Sequence, residues 1–149
     1  MNIANKLLSA AVLVLLMTGL APSGVAQSAS ISAQAAWDAV EAGQLLLVDI
    51  RQPEEWAQTG MARHAIGISM VHAEGQQGFL RDLVTAANGR LDAPIALICR
   101  TGNRTSQVRQ ALESMGFTNI RHVPEGMVGS TYGPGWIATG LPLEPCHSC

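Results

Sequence analysis

Cys99, Arg100 and Arg104 fall close together in the stretch PIALICRTGNRTSQVRQAL, residues 94–112. An apolar run ends in the thiol. Arg100, Thr101, Gly102, Asn103, Arg104 and Thr105 follow before a helical pattern sets in. Cysteine attacks as the thiolate, and positive surroundings favour that form. Two guanidinium charges supply part of that field. A helix starting near Arg104 or Thr105 adds its dipole and its unpaired N–H groups. A loop of this kind can also curl so that its amides face inward as a nest for anions. Gly102 makes the curl sterically cheap, and Asn103 tolerates a left-handed backbone. An anion formed on the sulfur is stabilised by the same donors, with a hydroxyl from Thr105 or Ser106 in reach.

The elements that must position this loop can be read from periodicity. The segment 32–43 predicts a short helix, with Ser32 as N-cap, Ala36, Trp37 and Val40 as its apolar stripe, and Gly43 as its stop. Leu45–Ile50 and Pro94–Cys99 are continuous apolar runs of strand length, the pattern of strands buried on both faces. Pro53 and the acids behind it open one or two helical turns. Ala65–Met70 reads as a weaker strand. Gly78–Gly89 reads as an amphipathic helix on Phe79, Leu80, Leu83 and Val84. The segment 104–117 reads as a helix on Val108, Ala111, Leu112 and Met115, stopped by Gly116. Asn119–Val123 is a short strand, and 136–140 a last helical turn. Buried strands alternating with amphipathic helices predict an α/β fold, a mostly parallel central sheet with helices on both faces. Ligands bind beyond the carboxyl ends of such strands. Cys99 ends one buried strand there, and Asp49 and Arg51 end the other.

Length and charge narrow the setting. The 149 residues suffice for one domain with one core. Residues 1–26 carry a charged start, an apolar run from Leu7 to Ala21 and small residues at Gly24 and Ala26. That is the pattern of a cleavable signal peptide, and the run is short of the roughly 20 residues a span requires. The expected mature domain is 27–149, periplasmic or secreted, with no stable membrane association after cleavage. Lys6 is the only lysine; without it eight arginines face eleven acids, a formal charge of −3. That balance argues against a nucleic-acid or anionic-membrane surface, and Arg100 and Arg104 then suggest a small anionic ligand. In an oxidising compartment thiols pair. Cys146 and Cys149 are neighbours, which leaves Cys99 as the free, reactive thiol.

The loop CRTGNRT after a buried strand, DIRQPEEW about fifty residues upstream and GPGWIATGLPLEP downstream together resemble a single-domain rhodanese, a thiosulfate sulfurtransferase, over a core of about 31–145. His64 and Gly67 fit that family's histidine–glycine turn, while Ala65 and Ile66 replace its usual apolar–proline pair. Glu125 stands where the family often has the first of two glycines, and Gly126 matches the second. The resemblance implies that Cys99 attacks the outer sulfur of a small anionic donor such as thiosulfate and becomes a persulfide. Cyanide, a thiol or a protein sulfur acceptor then removes that sulfur, with no metal or organic cofactor. Arg100 would hold the donor's sulfonate, Arg104 the loop or the donor, and the N–H groups from Arg100 to Thr105 the persulfide. Asp49 and Arg51 would support the site's edge through an ion pair or backbone hydrogen bonds.

Two other readings share the loop. A persulfide carrier or sulfide-binding module would load Cys99 and turn over poorly. A phosphatase or arsenate reductase of the same fold is the other reading, but cell-cycle dual-specificity phosphatases place five residues between cysteine and arginine; here there are four, and the smaller ring suits a single sulfur atom better than a phosphate or arsenate group. The tail 146–149, Cys146 to Cys149, reads either as a local disulfide or as a redox pair relaying sulfur from Cys99. Its residues give at most three metal ligands, short of a zinc set. His64, His72 and His122 read as surface or turn histidines, and Trp37, Trp56 and Trp136 as core anchors. Met127 and Trp136 flank a glycine-rich loop near the mouth of the site.

Overall fold

The computed structural model describes residues 28–146. The leader expected over residues 1–26 lies outside them, as does Cys149. Helix α1 (Ala33–Glu41) opens as its sequence predicts: Ser32 is the N-cap, and its hydroxyl accepts the Ala35 N–H at 3.2 Å. Strand β1 (Leu46–Asp49) leads to α2 (Pro53–Thr59), which has proline in its first turn, Glu54 and Glu55 behind it, and Gly60 at its end. Next come β2 (Met61–Ala62), β3 (Ile66–Gly67), α3 (Gly75–Ala86) and β4 (Ile95–Ile98). Then α4 (Asn103–Ser114), β5 (Ile120–His122), α5 (Gly135–Ala138) and β6 (Leu143–Glu144) complete the chain.

Four strands form one sheet in the order β3-β1-β4-β5, and every pairing is parallel. Side chains alternate across a strand, and the two faces divide accordingly. Leu47, Ala96 and Ile98 pack with Ala36 and Val40 of α1 and Trp136 of α5. Val48, Ile50, Ile95 and Leu97 pack on the other face with Phe79 and Leu83 of α3 and Leu112 of α4. This is the predicted α/β layer architecture, helices on both faces of a parallel sheet. The same parity sends the Cys99 side chain to the α3–α4 face, beside Ile95 and Leu97.

Several boundaries differ from the periodicity. The strand expected over Ala65–Met70 contracts to Ile66–Gly67, an exposed edge, although Ile68 and Met70 still donate N–H bonds to Asp49 and Ile50 carbonyls at 3.0 and 3.1 Å. Helix α3 starts three residues before the expected Gly78. His72 organises that start: its Nδ1 accepts the Glu74 N–H at 3.0 Å and its Nε2 meets Asp82 at 3.0 Å. These are polar contacts that no apolar spacing announces. The antiparallel pair β2–β6 has two residues per strand, too short for any period. Trp56 and Trp136 are buried anchors, whereas Trp37 is half-buried, stacked on His64 and edge-on to Trp136.

Candidate active site

Helix α4 begins at Asn103, earlier than its sequence suggests, because Gly102 at its N-cap takes a left-handed backbone, φ 84°. The turn from β4 into α4 is therefore only Cys99 to Gly102. A Cβ on Gly102 would lie 2.2 Å from the Pro124 carbonyl oxygen, so only glycine lets the two loops approach. Gly126, φ 64°, makes the reciprocal contact: a Cβ there would lie 2.4 Å from the Arg100 carbonyl oxygen. Two bonds lock the loops together. Met127 N–H donates to the Cys99 carbonyl at 2.9 Å, and Val128 N–H to the Arg100 carbonyl at 3.0 Å.

Those bonds orient the turn. In a trans peptide the C=O and the following N–H point in opposite directions, and no peptide bond among the described residues is cis. With the Cys99 and Arg100 carbonyls tied to residues 127 and 128, the N–H groups of Arg100 and Thr101 face away from that loop. None of the six main-chain N–H groups from Arg100 to Thr105 meets a protein acceptor among the described residues. The last three are the orphan donors of a helix start. Six consecutive N–H groups without a partner among the described residues thus follow directly on Cys99.

Cys99 is a free thiol and only 1% exposed. Its Sγ contacts the Thr105 hydroxyl at 3.9 Å. In that contact the thiol donates, and the Thr105 hydroxyl donates in turn to the Gly102 carbonyl at 2.8 Å; of Thr105 and Ser106 it is Thr105 that lies against the sulfur. Arg100 is exposed and makes no ion pair among the described residues. Arg104 turns instead to Glu55 of α2, its two terminal nitrogens reaching the two carboxylate oxygens at 2.7 and 2.6 Å. Of the two roles open to Arg104, holding the loop is the one this geometry serves. The Arg104 hydrogen bond holds the Glu55 carboxyl below its ordinary pKa against the opposing effect of burial, and the same bond raises that of Arg104, to which Cys99 contributes further.

Asp49 and Arg51 are both buried and form the expected ion pair. Arg51 Nε lies 3.0 Å from both Asp49 oxygens and Nη2 2.7 Å from Oδ2. The remaining guanidinium hydrogens go to the Glu55 carbonyl, the Thr59 hydroxyl and the Gly60 carbonyl of α2. The pair therefore acts one step away from the Cys99 loop: it pins α2, and α2 presents Glu55 to Arg104. Sequence reading missed Glu55. Its visible signal, an acid in a first helical turn behind proline, marks a helix start, and Glu55 does accept the Gln52 N–H at 3.1 Å. Glu125, which replaces a glycine in the resembling family, swings away from the loop and accepts the Ala33 N–H at the start of α1 at 3.3 Å.

His122, which reads from sequence as a surface or turn histidine, is neither: the structure makes it part of the site. It sits on β5, half-buried, with Nδ1 3.2 Å from the Thr105 hydroxyl. Burial lowers its pKa first and the Arg109 charge adds to that; the Gly102 carbonyl and Glu125 oppose. Cys146 is disulfide-bonded. No group of three His, Cys, Asp or Glu among the described residues is arranged to hold a metal ion.

A family model described as a rhodanese-like domain matches residues 32–131. The chain is 32% identical over 104 residues to the thiosulfate sulfurtransferase GlpE of Pseudomonas entomophila, covering 68% of this chain and 85% of that one. It is 26% identical over 100 residues to an uncharacterized protein of Rickettsia prowazekii, covering 66% of this chain and 81% of the relative. Among solved structures it is similar to the rhodanese-like domain of an Anabaena protein, TM-score 0.61 at 18% identity over 80% of this chain and 81% of that chain. A crystal structure from M. tuberculosis matches with TM-score 0.59 at 26% identity, over 78% and 97% of the two chains.

Proposed function

The chain belongs to the rhodanese-like domain family, and we propose that it is a sulfurtransferase that carries sulfane sulfur on Cys99. The observation that carries this reading is the run of six N–H groups from Arg100 to Thr105, unpaired among the described residues, that directly follows a free thiol. Such donors stabilise negative charge on one small atom without any reorganisation. In the first half-reaction the Cys99 thiolate attacks the outer sulfur of thiosulfate or a similar donor. A new S–S bond forms, the donor's own S–S bond breaks, and sulfite leaves with the electron pair. In the second, cyanide or a thiolate attacks the outer sulfur of the persulfide. Thiocyanate or an acceptor persulfide departs, and Cys99 returns as thiolate. Arg100, exposed and without an ion-pair partner among the described residues, meets the donor's sulfonate. The N-terminal signal pattern supports work outside the cytoplasm.

A persulfide carrier with slow turnover is the second reading, and the 1% exposure of Cys99 favours it. A sulfur held this deep yields its cargo only to an acceptor that reaches past the loop. Intact mass after incubation with thiosulfate tests the shared step. The expected result is a gain of one sulfur atom, lost on adding cyanide and absent in Cys99→Ser. No gain in the wild type, or an equal gain in the variant, overturns the proposal. Steady-state thiosulfate:cyanide turnover then separates enzyme from carrier.

A further inference from the structure

Cys99 lies against Ile95, Leu97 and Leu112, with almost no surface in contact with solvent. A buried thiol that becomes a thiolate needs somewhere to send its proton. Arg104 beside it cannot accept one. The Thr105 hydroxyl can pass one on. Its Oγ1 is 3.9 Å from Cys99 Sγ, 2.8 Å from the Gly102 carbonyl and 3.2 Å from His122 Nδ1. His122 in turn lines a polar cavity of about 280 Å³ with Ser30, Asn103, Ser106 and Tyr132. Ser30, Asn103 and Tyr132 are exposed. The cavity thus gives the far side of the imidazole a way to water that the sulfur lacks.

We propose that His122 is the proton acceptor for Cys99, working through the Thr105 hydroxyl and emptying to the cavity at Tyr132. The inference rests on Cys99 being the nucleophile of the proposed sulfur transfer. In the step, the Cys99 S–H bond breaks with its electron pair left on sulfur. The proton goes to Thr105 Oγ1 as the hydroxyl turns from the Gly102 carbonyl and gives its own proton to Nδ1. The products are a thiolate and an imidazolium, with no net change in charge and no co-reactant. His122 touches no substrate, so it is a positioning and proton-holding residue.

The charges around the imidazole suit the task. Burial and the Arg109 charge of α4 oppose its protonation, while the Gly102 carbonyl and Glu125 after β5 favour it, so the ring has an unprotonated nitrogen to offer. Its strand neighbour on β4 is Leu97, which is apolar. The segment before α1 meets it through backbone alone: His122 N–H donates to the Ala29 carbonyl and Ile31 N–H to the His122 carbonyl. The sulfur itself is the remaining group that can turn negative in its surroundings.

The test uses the whole protein and reads the proton rather than turnover. Thiolate absorbance near 240 nm is followed against pH in wild type, His122→Gln and Thr105→Val, with Cys99→Ser as the blank. The His122 ring signals are followed by NMR in wild type and Cys99→Ser. The expected result is thiolate in the wild type at pH 7 and at least twofold less in both variants. Removing the sulfur should lower the imidazole midpoint by at least half a pH unit, because coupling between two sites is reciprocal. Folding of each variant is checked by circular dichroism; a mispacked Thr105→Val leaves the His122 arm intact. Thiolate content unchanged in His122→Gln, or an unmoved imidazole midpoint in Cys99→Ser, overturns the proposal. Because these readouts need no sulfur donor, a failure of persulfide formation in mass spectrometry is a separate result.

Discussion

Gly126→Ala tests whether the interlocked loops hold the Cys99 turn in shape. Two costs add at this position. With φ at 64°, a Cβ adds roughly 1–2 kcal/mol of left-handed strain. The second cost is contact, because the new Cβ lies 2.4 Å from the Arg100 carbonyl oxygen. An ordinary C···O approach is about 3.3 Å or more, so that carbonyl must retreat by about 1 Å. The retreat breaks the Val128 bond at 3.0 Å and strains the Met127 bond at 2.9 Å, at about 1 kcal/mol each. The expected total is about 3–4 kcal/mol, a fall in Tm of roughly 10–20 °C for a domain of this size. Gly43→Ala is the control. Its φ is 67°, but nothing lies within 4 Å of its Cβ, so only the strain remains. Thermal unfolding of the two variants isolates the contact, and thiosulfate loading by mass reports the site. If Gly126→Ala unfolds within 3 °C of Gly43→Ala and loads sulfur within twofold of wild type, the loop-on-loop account is wrong.

Two further variants address the charges around the sulfur. Arg100→Ala should raise KM for thiosulfate on the order of tenfold while leaving a neutral sulfur donor within twofold. An equal loss with both donors, measured by initial rates, removes the anion-holding role from Arg100. Glu55→Gln should cost about 1–2 kcal/mol at pH 7, the scale of a half-buried charged hydrogen bond. The Glu55 carboxyl titrates below the ordinary carboxylate value of 4.5, chiefly because of its hydrogen bond to Arg104, so its contribution is complete above about pH 4.5 and is lost as the pH falls through the folded value. Denaturant curves of variant and wild type should therefore draw together as the pH falls below about 4.5, and a gap that does not narrow on acidification contradicts the assignment.

How far the sequence spoke depended on the distance over which each feature is encoded. The sheet was legible because Leu47 to Ile50 and Ile95 to Cys99 are buried on both faces and so carry unbroken apolar runs. The parity of β4 even fixed which face the thiol meets, once the neighbouring elements were in place. The Cys99 loop was legible because its chemistry lies within seven consecutive residues. Glu55 and His122 were not. Glu55 reaches Arg104 across 49 positions, and its local pattern is already accounted for by a helix cap. His122 reads as a polar residue on a short strand, and only the pairing of β4 with β5 puts it beside Thr105.

Arg104 bears on what the loop can hold. A phosphate or arsenate spreads charge over several oxygens and needs a guanidinium fork facing it. Here each terminal nitrogen of that fork gives one hydrogen to Glu55, at 2.7 and 2.6 Å, and the carboxylate would itself repel an oxyanion placed beside it. A sulfane sulfur is a single atom and asks only for N–H donors, of which the turn leaves six unpaired. The arginine that a phosphatase would aim at its substrate is spent here on holding the turn in shape. On the proposed function, amides for the cargo and Arg104 for the scaffold, the four-residue spacing and the Glu55 pair favour the same chemistry for independent reasons.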